Sequence, residues 1–235
     1  MKKLFAGALS ALWLAACLCG CALADSEGAI VQSSCSVVPS GDYYLVHCYA
    51  QIHNNSDQNI CLEQGVFELQ NGEELLAEQE VTHIWPSMIA PGEDGYVFGV
   101  VAFEPDENGQ PVMPQITGLR YAIQYMTVEE EFSSLDLAVT AEIERDARGG
   151  MTVVCTVVNG TDMEAANPTV ALGLYTDGGT LVYADGITLF NVAIPAGQTI
   201  RVRFDVDEAI SDQWSTYGAN VTEARAVGSF RDGTD

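Results

Sequence analysis

The amino-acid sequence predicts an all-β protein of two tandem β-sandwich units, with about seven strands in each. Three observations carry this: an internal repeat at a nearly constant offset, strands that alternate apolar and polar residues, and turn residues at matching points of both repeats. "HNNSDQN" (53–59) returns as "VNGTDME" (158–164), and "LQNGEELL" (69–76) returns as "YTDGGTLV" (175–182). "MIAPGED" (88–94) returns as "AIPAGQT" (193–199), and "ITGLRYAI" (116–123) as "VTEARAVG" (221–228). The offsets are 105, 106, 105 and 105, in one order along the chain, which marks a tandem repeat.

The first element is a leader. Met1, Lys2 and Lys3 precede an apolar run over residues 4–16, too short for a permanent membrane helix of about 20 residues. Residues 1–24 therefore read as a secretory signal peptide. Two endings compete. Ala22-Leu23-Ala24 has the small-x-small pattern of ordinary cleavage and releases a chain starting at Asp25. "LAAC" (14–17) resembles a bacterial lipobox, which makes Cys17 a candidate lipidation site, with Cys21 in "LCGC" as a weaker copy. The residues after Cys17 stay apolar, and residues 25–235 measure almost two repeat units; both favour cleavage after Ala24. Either ending places the mature chain outside the cytoplasm, secreted or at the cell surface, without a transmembrane helix and with a lipid anchor as the alternative.

The two units are expected over residues 25–130 and 135–235, parted near residues 127–134, where Glu129, Glu130 and Glu131 suit a solvated linker. In the first, Tyr44, Val46, Cys48, Ala50 and Ile52 share one face of a strand. In the second, Met151, Val153, Cys155 and Val157 do the same. Such period-2 alternation marks a half-buried strand. "NNSD" and "NGTD" then turn the chain, because Asn, Gly and Asp tolerate left-handed backbone. Asn71-Gly72 and Asp177-Gly178 are the strongest hairpin signals, and "APGED" and "PAGQT" supply one more turn per unit. No convincing amphipathic helix is found. "EELLAEQEV" (73–81) is the best candidate, but its repeat partner "GTLVYADGI" lacks the pattern.

These residues resemble bacterial extracytoplasmic FxLYD-type immunoglobulin-like domains. The resemblance rests on "HNNSD", "FELQNG" (67–72) and "IAPGE" in the first unit, and on "VNGTD", "LGLYTDG" (172–178) and "IPAGQ" in the second. It departs at Gln70 for the tyrosine, at Leu172 for the phenylalanine, and at Thr176, inserted before Asp177. It implies two tandem immunoglobulin-like β-sandwich domains acting as a surface-exposed interaction or accessory module, with no enzymatic site. A carbohydrate-active enzyme or carbohydrate-binding module using acidic and aromatic loop residues is the alternative from another class. A structural spacer of a surface lipoprotein is a third.

Charge narrows the partners. Residues 25–235 contain seven arginines, no lysine and all 33 acidic side chains, a formal charge of −26. Such a surface repels nucleic acid and anionic polymers. The expected partner is an extracellular protein or glycan, and no nucleic acid, cofactor or metal is expected.

No constellation carries chemistry. His47 and His53, six residues apart on one strand, lie about 20 Å apart and cannot share a metal. His83 is remote in sequence, and the second unit has no histidine. Glu129 to Glu131, Asp205 with Asp207-Glu208, and "PDENG" (105–109) read as solvated acidic groups; the last lacks the spacing of a calcium loop. Asn54, Asn159 and Asn220 begin Asn-x-Ser/Thr triplets and read as turn residues. Trp85, Trp214, Tyr43 and Tyr121 are candidates for a binding face, set against core roles for the tryptophans.

Cleavage after Ala24 leaves Cys35, Cys48, Cys61 and Cys155. Cys155 is expected to be a buried, unreactive thiol. Export favours one disulfide in the first unit. Cys35 and Cys48 suit a hairpin about Gly41-Asp42, which sets them opposite each other. Two features oppose this: Pro39 falls inside that ladder, and the second unit turns Leu137, Val139 and Ala141 inward, which in strict register points Cys35 outward. Cys48 with Cys61 is the other pairing.

Overall fold

The structure is a computed structural model that describes residues 29–81, 84–128, 134–147 and 149–231. The leader with Cys17 and Cys21, His83, and residues 129–133 of the expected linker lie outside the described residues. Within them the chain is almost wholly β, with fifteen strands and one helix. The first half runs β1 (Ala29–Ser40), β2 (Tyr43–Asn54), β3 (Asn59–Asn71), β4 (Glu74–Val81), β5 (Met88–Ile89), β6 (Asp94–Phe103) and β7 (Gly118–Val128). The second half begins with β8 (Ser134–Arg145), β9 (Met151–Val158), β10 (Ala165–Ala166) and β11 (Thr169–Thr176). It continues with β12 (Leu181–Thr188), β13 (Ala193–Ile194), β14 (Thr199–Asp205), helix α1 (Glu208–Tyr217) and β15 (Val221–Arg231).

In the first half β1-β2-β6 form one antiparallel sheet, and β3 with β4, β5 and β7 forms the other. The second half links the corresponding strands into one path, β12-β11-β15-β8-β9-β14. That path bends at β8, whose first four residues pair with β15 and whose remaining eight pair with β9. Ladder registers recur at the sequence offset. Phe67 opposes Tyr121 and Leu69 opposes Leu119; in the second half Leu172 opposes Ala226 and Leu174 opposes Ala224. The ladder β3–β4 slips register between Leu69 and Gln70, and β11–β12 slips between Leu174 and Tyr175.

Two fully buried asparagines explain why the short motifs recur. Asn54 Nδ2 donates to the carbonyls of Gln58 (2.7 Å) and Ile89 (2.9 Å), and its Oδ1 accepts from Ser56 N–H (3.0 Å) and Oγ (2.7 Å). Asn159 Nδ2 donates to Met163 (2.8 Å) and Ile194 (2.7 Å), while Oδ1 accepts from Thr161 N–H (3.1 Å) and Oγ1 (2.7 Å). Each amide thus ties its turn to the short strand that follows 35 residues later. Asn220, by contrast, is exposed.

The expectation of no helix is corrected by α1. Asp207 caps it by accepting from Ala209 N–H, and Gly218 closes it in left-handed backbone at φ 71°. Among its described side chains the buried apolar ones are Ile210 and Trp214, one turn apart. A stripe that short gives little periodic signal, and its capping carboxylate reads in sequence as one of a solvated acidic group.

The first hairpin sets Cys35 opposite Cys48, with Gly41 and Asp42 as the loop. Bonded and non-bonded pairs alternate away from a two-residue turn, so Pro39–Tyr44 and Cys35–Cys48 both fall in the non-hydrogen-bonded class. Pro39 therefore needs no N–H toward β2. The inward-facing objection also falls. The corresponding loop between Arg145 and Met151 has five residues in place of two, and an odd difference exchanges the faces of the first strand. Cys35 sits at the level of Ile143, and both pack against their own cores.

Val46, Cys48, Ala50 and Ile52 line one core, and Met151, Val153, Cys155 and Val157 line the other. The half-buried reading of the Tyr44–Ile52 alternation is corrected, however: Tyr49, on its second face, has no exposure at all. The second half covers that face, with β12 lying against β1, β2 and β6. Tyr49 packs on Tyr183 with ring centroids 5.3 Å apart. The Tyr96 and Tyr175 hydroxyls are hydrogen-bonded at 3.0 Å in the buried junction. A Cβ on Gly173 would lie 2.5 Å from the Tyr96 ring, and one on Gly186 would lie 2.5 Å from Trp85, so both glycines admit the aromatic rings. Gln213 of α1 donates to the Val37 carbonyl across the same junction.

Candidate functional site: a cleft at the junction of the halves

Loops from both halves meet around a cavity of about 410 Å³. The first half contributes Ser87, just before β5, and Met88 within it. The second contributes Asn167 and Thr169 at the entry to β11, Thr188 and Phe190 at the exit of β12, and Ser229 and Arg231 at the end of β15. Local hydrogen bonds hold the Phe190 turn in place. Leu189 N–H donates to the Pro168 carbonyl (2.9 Å) and Asn167 N–H to the Val192 carbonyl (2.8 Å). Asn191 N–H donates to Asn167 Oδ1 (2.8 Å). Asn167 and Asn191 have φ of 47° and 60°, left-handed values that Asn tolerates better than most side chains.

Phe190 is 75% exposed. It occupies the repeat position of Trp85, whose ring is seated on Gly186 of the second half. The lining mixes apolar Met88, Ala166 and Phe230 with polar groups, among them the Thr169 and Thr188 hydroxyls, bonded to each other at 2.9 Å. Arg231 Nη2 donates to Ser87 Oγ at 3.2 Å. The ion pairs among the described residues are His53–Asp94, Arg120–Glu68, Arg203–Glu144 and Arg225–Glu223, and Arg231 is in none of them. Among the described residues no carboxylate lines the cavity.

Two smaller cavities lie along the same junction. One, of about 140 Å³, is lined by His47, Phe98, Tyr183, Asp185, Asp205 and Asp207. Burial lowers the His47 pKa against the attraction of Asp207, and burial raises that of Asp185 despite hydrogen bonds from Gly186 N–H and Tyr183 Oη. The other, of about 220 Å³, brings Glu93 beside Asp136. Burial first, then repulsion from Asp136 and Asp94, raises the Glu93 pKa. Among the described residues no group of three His, Cys, Asp or Glu side chains is placed to hold a metal.

The other residues singled out in the sequence are dispersed. His53 Nδ1 is bonded to Asp94 at 2.9 Å, while His47 opens into the junction cavity. Trp214 is buried edge-on to Tyr183, and Tyr121 is buried beside Phe67 at 4.5 Å. Tyr43 is exposed beside the first hairpin turn. Asp106 closes its own turn by accepting from Asn108 and Gln110 N–H, and Asp205 accepts from Thr152 Oγ1. Burial pushes the Cys155 thiol up to about 12 and raises Cys48, so neither forms the reactive thiolate near neutral pH. Phe190, Asn167, Thr188 and Arg231 escaped the sequence reading. The available signal was Phe190 itself, an aromatic residue standing in an Asn-bearing turn at the repeat position of Trp85.

No family model matches the chain, and no curated protein matches it. Among solved structures, red sea bream transglutaminase is similar over 86% of this chain and 29% of its own, at 8% identity and a TM-score of 0.25. The chain thus spans less than a third of that protein, and a likeness this slight carries no argument about function.

Proposed function

We propose that this is an exported, non-enzymatic interaction module, secreted or held at the cell surface, built from two immunoglobulin-like units like those of the FxLYD type. The observation that supports this reading most is the junction cleft. Two units share one buried interface, and their loops meet around a hydroxyl-, amide- and aromatic-lined cavity with Phe190 exposed at it. Rigid scaffolds that present loop clusters of this kind suit recognition. The basic and apolar leader supports export, and the acidic surface suits a soluble module that avoids polyanions.

Cross-linking of the mature chain to envelope and culture fractions of the producing cell tests the reading. Wild-type protein should capture a defined protein or glycan component, and Phe190→Ala with Arg231→Gln should lose it. Release of reducing sugar from polysaccharides by the pure protein would instead favour the enzymatic alternative. Mass spectrometry of native material addresses address and anchor: a chain starting at Asp25 is expected, and an acylated Cys17 or Cys21 would make the protein a lipoprotein.

A further inference from the structure

We infer that the junction cleft binds the end of a glycan whose terminal pyranose carries a carboxylate, an inference that rests on the interaction reading above and gives it a ligand class. Three features select that chemistry. Phe190 offers an exposed flat apolar face, which suits the C–H face of a sugar ring. Thr169, Thr188, Ser229 and Asn167 line the same cavity with hydroxyls and an amide that both donate and accept, matching a polyhydroxylated ligand. Arg231 supplies the charge. One of its nitrogens bonds Ser87 Oγ, it is in none of the ion pairs among the described residues, and a guanidinium keeps further donors in a fork that fits a carboxylate.

The surrounding charge limits the ligand further. Residues 25–235, at a formal −26, repel long polyanions, whereas a single terminal carboxylate entering a cavity that no acidic side chain lines among the described residues meets the Arg231 guanidinium. More distant carboxylates are damped beyond about 8 Å at physiological ionic strength. The volume sits low in the range of roughly 300–1,000 Å³ typical of small-molecule sites, so it fits a chain end better than a polymer segment.

The probe is an oligosaccharide ending in one glucuronate, titrated calorimetrically into the full mature chain beside its carboxyl-reduced counterpart and a polyuronate. Saturable binding of the acid-ended sugar is expected, with the reduced sugar and the polymer each at least about tenfold weaker. Arg231→Gln should make the acid and reduced sugars equal. Phe190→Ala should weaken both and leave their ratio unchanged. Arg203→Gln, at a solvated ion pair with Glu144, should bind like wild type. Near-ultraviolet circular dichroism of each variant confirms its folding. Equal affinity for the two sugars, an unchanged Arg231→Gln, or no saturation with either sugar would overturn the inference. A cross-linked protein partner alongside absent sugar binding would leave the interaction reading standing and remove only the ligand class.

Discussion

At the residue scale the buried asparagines carry a large share of local order. All four hydrogen-bonding positions of the Asn159 side chain are filled inside the protein, and its loss leaves the Ile194 carbonyl and the Thr161 N–H without their partner. Asn159→Ala is expected to cost about 3 kcal/mol in urea unfolding, because buried polar groups left unpaired cost more than a simple hydrogen bond contributes. Asn220→Ala, at an exposed site, should stay within about 0.5 kcal/mol of wild type. Cys35 and Cys48 make the second residue-scale case. The structure holds both as thiols, but directly opposed pairs in the non-hydrogen-bonded class lie about 4.5 Å apart at Cα, within the roughly 4.4–6.8 Å that a disulfide spans. Peptide mapping of native material without reduction should recover Cys35 linked to Cys48, with Cys61 and Cys155 alkylated only as thiols. A Cys48–Cys61 linkage would reverse this.

At the element scale the junction depends on what two strands of β-sheet leave out. β11 and β12 offer Gly173 and Gly186 as recesses for Tyr96 and Trp85. Gly186→Ala would place a methyl 2.5 Å from Trp85 Cγ and 2.6 Å from Cδ2, and a ring anchored on its own backbone cannot slide away freely. A loss of about 1–3 kcal/mol is expected for such overpacking, read as a lower thermal midpoint. The loop before β6 gives a pH-dependent case. The folded state holds the proton of Glu93 more tightly than the unfolded chain, so ionisation subtracts stability as pH rises from the usual carboxylate range through the raised value. Below that window both states are protonated and the penalty vanishes. Glu93→Gln should therefore raise the midpoint at pH 7, with the gain fading toward pH 4.

At the scale of the whole molecule, one buried cluster contains Val38, Tyr49 and Tyr96 of the first half together with the core of the second. Neither half can unfold without exposing aromatic surface of the other. Calorimetry of the mature chain should accordingly show one cooperative transition, and two resolved transitions would contradict this. Tyr175→Phe should lower that single midpoint, because the Tyr96 hydroxyl it leaves behind is buried and loses its hydrogen-bond partner, at a cost of about 1–2 kcal/mol.

What the sequence by itself determined is the all-β character and the inner faces of β2 and β9. Alternation, turn chemistry and a fixed offset are local signals, and Asn54 and Asn159 act through neighbours a few residues away as well as through the short strand that follows. Even the Cys35–Cys48 register was legible, because a two-residue turn sets it; only the loop length of the second hairpin misled the comparison between repeats. Tertiary structure alone decided which outer sheet face is buried. Period-2 alternation reports one dry face and is silent about the other, whose fate depends on whether a partner surface docks there. Comparing the repeats came near to showing it: Tyr96 and Phe98 in β6 correspond to Arg201 and Arg203 in β14, so one unit is built to be covered and the other to meet water. The cleft lay beyond that comparison, since Ser87, Thr188 and Arg231 meet only because the two halves of the chain pack together, and no local pattern encodes a contact between residues so far apart in the chain.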